Sequence, residues 1–206
     1  MKLYYKSGAC SMATHIVLNE LGKQFDLESV DTKAGVTETG ADYRSINPRG
    51  YVPAVTFSNG ETLTENSAIL QYIYDVYFGD EADASPFARA RLQEVLSFLS
   101  AELHKAFSPL FVATKLTADE RAEALEKLKR QLTQFEAMID DGREFLLGAS
   151  YTPADAYAFV ILNWTNFINV SLDDWPNAKA LHERIKARPA TQKALLREGL
   201  VQAEAA

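Results

Sequence analysis

Apolar and polar positions divide the chain into two stretches with different periods. Up to about residue 78 the pattern changes every few residues, as short strands and helices do. Lys2 to Tyr5 is an aromatic and aliphatic run with strand propensity. Lys6, Ser7 and Gly8 break it, and Ala9, Cys10 and Ser11 lead into a helical stripe of Ile16, Val17, Leu18 and Leu21 that stops at Gly22. Gln24 to Asp31 alternates and predicts a second strand, parallel to the first across a right-handed crossover. Lys33 to Asp42 is polar and glycine-bearing, a loop, and Asn47-Pro48 forms a corner before Tyr51. Tyr51 to Phe57 and Glu61 to Thr64 flank Asn59-Gly60, the signal of a hairpin closed by a tight primed turn. Pro53 opens the first arm, where it is either rigid punctuation or the site of a cis Val52-Pro53 peptide. A helix then starts at Glu65-Asn66-Ser67 and carries Ile69, Leu70, Ile73, Val76 and Tyr77.

Beyond Gly79 to Pro86, a small, acidic linker, every periodic segment is helical. Leu92, Val95, Leu96, Leu99, Leu103, Phe107 and Leu110 form an unbroken stripe. Ser97, Ala101, His104 and Ser108 run beside it, a face of small residues that lets a second subunit or a ligand approach the backbone. Thr117 to Glu120 is a capping box, and Leu125, Leu128, Leu132, Phe135 and Ile139 follow. Thr152-Pro153-Ala154-Asp155 starts another helix, apolar all round from Ala156 to Leu162 and therefore the buried centre of the second domain. Asp174-Trp175-Pro176 opens a further amphipathic helix ending near Pro189, and a last short one carries Leu195 and Leu196.

The formal charge of −7 argues against a nucleic-acid partner. One cysteine excludes an internal disulfide, and there is no Cys/His cluster for zinc or another metal. No run approaches the roughly 20 apolar residues that span a bilayer, and the start lacks a signal-peptide core, so a cytoplasmic protein without membrane contact is expected. Cys10 sits where a strand hands over to a helix. Read alone it is either an inert small hydrophobe or, near the positive end of the helix dipole, a thiol biased towards thiolate.

Five segments in order, MKLYYKSGACS, NPRGYVPAV, LTENSAIL, ELHKAFSPLF and TPADAYAF, resemble the bacterial beta class of cytosolic glutathione transferases over essentially the whole chain. The resemblance implies an N-terminal α/β thioredoxin-like domain (βαβ-ββα, mixed four-stranded sheet) over residues 1–78, a linker over 79–86, and an all-α domain over 87–206 that forms the electrophile pocket. It implies glutathione as co-substrate, no metal, and a homodimer. It places Glu65 on the γ-glutamyl ammonium, Asn66 and Ser67 on the neighbouring carboxylate at a helix N-terminus, and the Val52 backbone, ahead of Pro53, against the tripeptide's cysteine. Cys10, Ser11 and His104 become the catalytic set, with Lys105 following His104 and the histidine serving as a donor or a cation.

Two positions depart from the class pattern. Gly35 stands where a lysine often holds the glycyl carboxylate, leaving Lys33 as substitute, and Ser97 replaces an asparagine that serves the partner subunit. Together they predict glutathione binding weaker by about 1–2 kcal/mol. Tyr5 is a rival sulfur ligand assigned to packing, and His15, His182 and Trp164 are assigned to structure. The activity implied is conjugation of the glutathione thiolate to small apolar electrophiles. Two alternatives remain open: a glutathione-dependent thiol-disulfide reductase or peroxidase working through a Cys10 mixed disulfide, and a non-catalytic carrier of apolar ligands.

Overall fold

The computed structural model describes residues 1–78, 85–111 and 116–202; the predicted linker falls, from Gly79 to Ala84, outside the described residues. The chain divides into two compact units, Met1–Ala82 with Lys186–Ala206, and Asp83–Ile185.

The first unit holds β1 (Lys2–Tyr5), α1 (Ser11–Glu20), β2 (Asp26–Asp31), β3 (Val36–Thr37), β4 (Ala54–Thr56), β5 (Thr62–Thr64) and α2 (Asn66–Tyr77). The strands form one sheet in the order β3-β2-β1-β4-β5. β1 and β2 are parallel, with Leu3 opposite Leu27, as the α1 crossover demands. β1 and β4 are antiparallel, with Leu3 opposite Val55. Tyr4, Val30, Tyr43 and Ala54 close one core cluster, and Val52 packs against it. α1 ends as its sequence requires: Gly22 takes φ 60°, while Gly22 N–H reaches Asn19 O and Lys23 N–H reaches Leu18 O.

Several expectations need correction. The sheet has five strands rather than four, because Val36–Thr37 leaves the expected loop and pairs antiparallel with Val30 and Asp31. The hairpin does not turn on a two-residue primed turn. Gly60 N–H bonds Phe57 O and Phe57 N–H bonds Glu61 O, and of the two turn residues only Gly60 is left-handed (φ 86°), the longer loop with a glycine bulge. By contrast, the Val52-Pro53 peptide is cis, one of the two alternatives read for Pro53.

The second unit contains α3 (Pro86–Phe98), a π-helical turn (Leu99–Leu103), α4 (His104–Phe111), α5 (Ala118–Ala137), α6 (Pro153–Asn163), α7 (Thr165–Ile168) and most of α8 (Pro176–Lys186). Both predicted capping boxes form, at Thr117/Glu120 and Thr152/Asp155. Every residue of α6 from Pro153 to Leu162 is buried, as its all-round apolar sequence predicts. The stripe from Leu92 to Leu110 is buried along its whole length, although the π-turn interrupts the α-helical bonding beneath it, and Pro109, which has no N–H to give, lies inside α4.

α9 (Pro189–Arg197) groups with the first unit and not with the helical domain expected over residues 87–206. The reason is a buried polar lock. His15 Nδ1 lies 2.9 Å from Glu198 Oε1, with neither side chain exposed, and Arg188 Nε donates to Glu20 at 2.6 Å. Glu198 follows α9 directly, so satisfying this buried pair holds the chain end against α1.

Candidate active site

In the first unit the loop after β1 delivers Cys10 to the N-cap of α1, half-buried, with its side chain free of any capping role. Cys10 Sγ donates to Val52 O at 3.5 Å, so the cis-peptide corner and the cysteine meet across 42 residues. The loop itself is held from two sides. Ser11 is fully buried, its Oγ accepting from Lys6 N–H at 3.2 Å and facing Lys6 O at 3.3 Å. From the far end of the chain, Glu198 accepts Gly8 N–H at 3.0 Å through its carboxylate and Ser7 Oγ–H at 2.6 Å through its carbonyl. Tyr5 stays a neutral phenol, because burial and then the neighbouring Glu198 carboxylate push its pKa up.

The start of α2 is built differently. Glu65 occupies the N-cap with φ 68° and ψ 113°, a conformation rare outside glycine, and makes no side-chain cap. Its exposed carboxylate meets only Arg49 Nη1, at 3.5 Å, among the described ion pairs. Asn66 turns inward and is buried, with Oδ1 accepting from Thr14 Oγ at 2.9 Å, while its Nδ2 is buried without a partner. The Asn66 side chain therefore ties α2 to α1, and what it offers outward is backbone N–H at a helix start. Ser67 is half-buried beside it. Tyr51 O, one residue before Val52, is pinned by Tyr43 Oη–H at 2.9 Å and Asn47 Nδ2–H at 2.6 Å. Burial drives the Tyr43 phenol up to about 12, keeping that donor protonated. Lys33 is exposed on a turn whose amides, Lys33 and Ala34, both donate to Asp31 Oδ1 at 2.9 Å.

In the second unit His104 opens α4 directly after the π-turn. Its Nδ1 lies 2.8 Å from Tyr157 Oη, and its ring stands edge-on to Trp164 at 4.6 Å between centroids. Phe107 and Phe111 complete the aromatic cluster around Trp164 at 5.6 and 5.4 Å. Burial, followed by the Lys105 ammonium, lowers the His104 pKa to about 4, so the ring is neutral at pH 7. The cation considered from sequence is thereby excluded at neutral pH, leaving the donor. Lys105 is exposed. Ser97 is exposed too, with its Oγ bonded back to Gln93 O at 2.7 Å. His182 stacks on Phe159 at 5.0 Å in a buried position, and Trp164 is buried.

Two contacts in these constellations could not be read from the sequence motifs: Glu198, outside every motif and 190 residues from Gly8, and the pairing of Tyr157, a residue of the TPADAYAF segment, with His104 53 residues away. Neither contact has a local signal, since each depends on pairing between distant segments.

Comparison with known proteins identifies the family. Residues 8–76 match the family model described as glutathione S-transferase, N-terminal domain, and residues 67–189 match glutathione S-transferase, C-terminal domain. The glutathione S-transferase GstA of Escherichia coli O157:H7 is 37% identical over 202 residues, covering 97% of this chain and all of the relative. A sphingomonad glutathione S-transferase solved in complex with glutathione superposes with a TM-score of 0.90 at 41% identity, over 98% of this chain and all of the other. The beta-class enzyme of Sphingomonas chungbukensis does so with a TM-score of 0.89 at 40% identity, with the same coverage.

Proposed function

The chain belongs to the glutathione S-transferase family, and from that premise we propose the division of labour by which it conjugates glutathione to electrophiles. Its solved neighbours place it with the bacterial beta class, and glutathione is the co-substrate. Residues 1–78 bind glutathione and the helices of the second unit, up to Ile185, receive a small apolar electrophile. Glu65 takes the γ-glutamyl ammonium, which displaces Arg49 from an exposed pair worth little. The N–H groups of Asn66 and Ser67 take the neighbouring carboxylate. Val52 offers its backbone to the tripeptide's cysteine, next to Pro53, and Lys33 meets the glycyl carboxylate in place of the lysine that Gly35 replaces.

Cys10 faces the tripeptide's sulfur, and His104 contributes a neutral N–H donor to the thiolate, with Lys105 adding positive charge. Ser11 acts on this chemistry by holding the loop before Cys10, since its hydroxyl is spent on Lys6. Lowering a thiol pKa from about 9 towards 7 raises the thiolate fraction at neutral pH by tens, equivalent to about 2 kcal/mol. The enzyme works as a cytoplasmic homodimer, with the exposed Ser97 on the face offered to the second subunit.

The observation that carries this reading is the meeting of Cys10 Sγ with Val52 O beside an uncapped helix start at Glu65. Its test is conjugation of a chlorinated nitroaromatic electrophile by the purified protein, with glutathione varied. Turnover that saturates in glutathione is expected, and retention on glutathione resin without turnover would leave a carrier.

The half-buried thiol of Cys10, which is in no disulfide, also favours a second activity. With a glutathione mixed disulfide as substrate, the Cys10 thiolate bonds to the glutathionyl sulfur and expels the other thiol. A second glutathione thiolate then releases glutathione disulfide and restores Cys10. Reduction of a hydroxyethyl mixed disulfide that is lost in Cys10→Ala is the expected result.

A further inference from the structure

A neutral imidazole has one N–H and one bare nitrogen, and what each faces decides what the ring does. In His104, Nδ1 faces Tyr157 Oη at 2.8 Å, while no partner of Nε2 occurs among the described residues. Tyr157 is itself nearly fully buried on α6, the most enclosed helix of the second unit. The two rings meet edge-on at 6.2 Å, and Trp164 closes on the imidazole from another side at 4.6 Å. The backbone is tuned at the same place: the π-turn at Leu99–Leu103 resets the helical register immediately before His104.

We propose that Tyr157 is a positioning residue for His104: its hydroxyl donates to Nδ1, which keeps the single proton of the ring on Nε2 and leaves that N–H as the donor to the reacting sulfur. The inference rests on the assignment of His104 to the thiol chemistry made above. A thiolate accepts hydrogen bonds and cannot donate them, so the ring serves it only with the proton on the nitrogen away from Tyr157. If Nδ1 carried the proton instead, Nε2 would present a lone pair to the sulfur and repel it. Burial keeps the ring from gaining a second proton that would make the distinction irrelevant.

The experiment compares Tyr157→Phe, His104→Ala and the double variant with the parent enzyme. Conjugation of a chlorinated nitroaromatic electrophile is the kinetic readout, and nitrogen-15 NMR of the His104 ring gives the tautomer. Tyr157→Phe removes one oxygen and keeps the ring, so folding survives. It is expected to lower kcat about tenfold, the usual worth of one buried hydrogen bond, with the KM for glutathione unchanged. The same substitution in the His104→Ala background is expected to change kcat by less than about twofold, because its effect passes through the histidine. The parent ring is expected as the Nε2–H tautomer and the Tyr157→Phe ring as a mixture.

A tenfold loss that persists without His104, or an Nδ1–H tautomer in the parent, overturns the inference. Full activity in His104→Ala overturns the assignment of His104 to the chemistry, while the tautomer still decides whether Tyr157 sets the ring.

Discussion

The starts of α6 and α2 each carry an acidic residue, and the two are put to opposite uses. At α6, Asp155 is wholly buried and accepts Leu146 N–H at 2.8 Å, Thr152 N–H at 2.7 Å and Thr152 Oγ–H at 2.9 Å. At α2, Glu65 is exposed, sits at a positive φ, caps nothing and touches Arg49 at 3.5 Å. The first carboxylate has its acceptors filled from within the fold and stabilises it. The second keeps its acceptors for something outside. A charged side chain at a helix start therefore shows its purpose by how many of its hydrogen bonds the protein itself supplies.

The comparison is sharpened most by removing Asp155. Asp155→Ala leaves two amides and a hydroxyl buried without their acceptor, and is expected to cost about 3 kcal/mol of stability in denaturant unfolding. The KM for glutathione should not move, provided the variant folds.

A second test uses pH. Burial raises the folded-state pKa of Asp155 to about 6, against 3.8 as the ordinary value, despite its three donors. The protonated acid thus favours the fold, a contribution fully present below pH 4 and lost as pH rises through about 6. For His104 the sign is reversed: lowered from 6.5 to about 4, it favours the fold above pH 6.5, and that contribution is lost as pH falls through about 4. Each is worth about 3 kcal/mol, and the two oppose each other across pH 4–6. The parent should therefore show a flat stability profile there. His104→Gln should unmask Asp155, giving stability that falls as pH rises from 4 to 6; a profile rising with pH in that variant would contradict the assignment.

The smallest effect belongs to Glu65. Glu65→Gln should change unfolding stability by less than about 0.5 kcal/mol, because it removes only an exposed ion pair. Glutathione affinity should fall about tenfold, from loss of a charge-assisted hydrogen bond to the ammonium, read by titration calorimetry. An Asp155-like stability loss at Glu65 would erase the distinction between the two helix starts.

Elements whose reasons are local were legible in the sequence. The strand-to-helix position of Cys10, the stop at Gly22, both capping boxes and the buried α6 depend on propensity, caps and period within about a dozen residues. Shorter or subtler features were less so. β3 is a two-residue edge strand that no periodicity can announce, and the π-turn before His104 hides inside an otherwise regular stripe. The site motifs were legible as residue types, while the roles of two of their side chains were not. Ser11 reads as a free hydroxyl until Lys6 is seen to engage it, and the Asn66 side chain reads as open to a ligand until Thr14 holds it inward and leaves only the backbone N–H for that role.

The sequence by itself determined which segments fold as strands and helices, that one thiol stands at a helix start, and which residues match the family. The tertiary structure alone decided that α9 joins the first unit through His15 and Glu198, that Val52 O meets Cys10, and that His104 is a neutral ring held by Tyr157. The physical reason is range. Periodicity and capping act between near neighbours along the chain, whereas desolvation and the pairing of buried polar groups depend on which distant segments exclude water together.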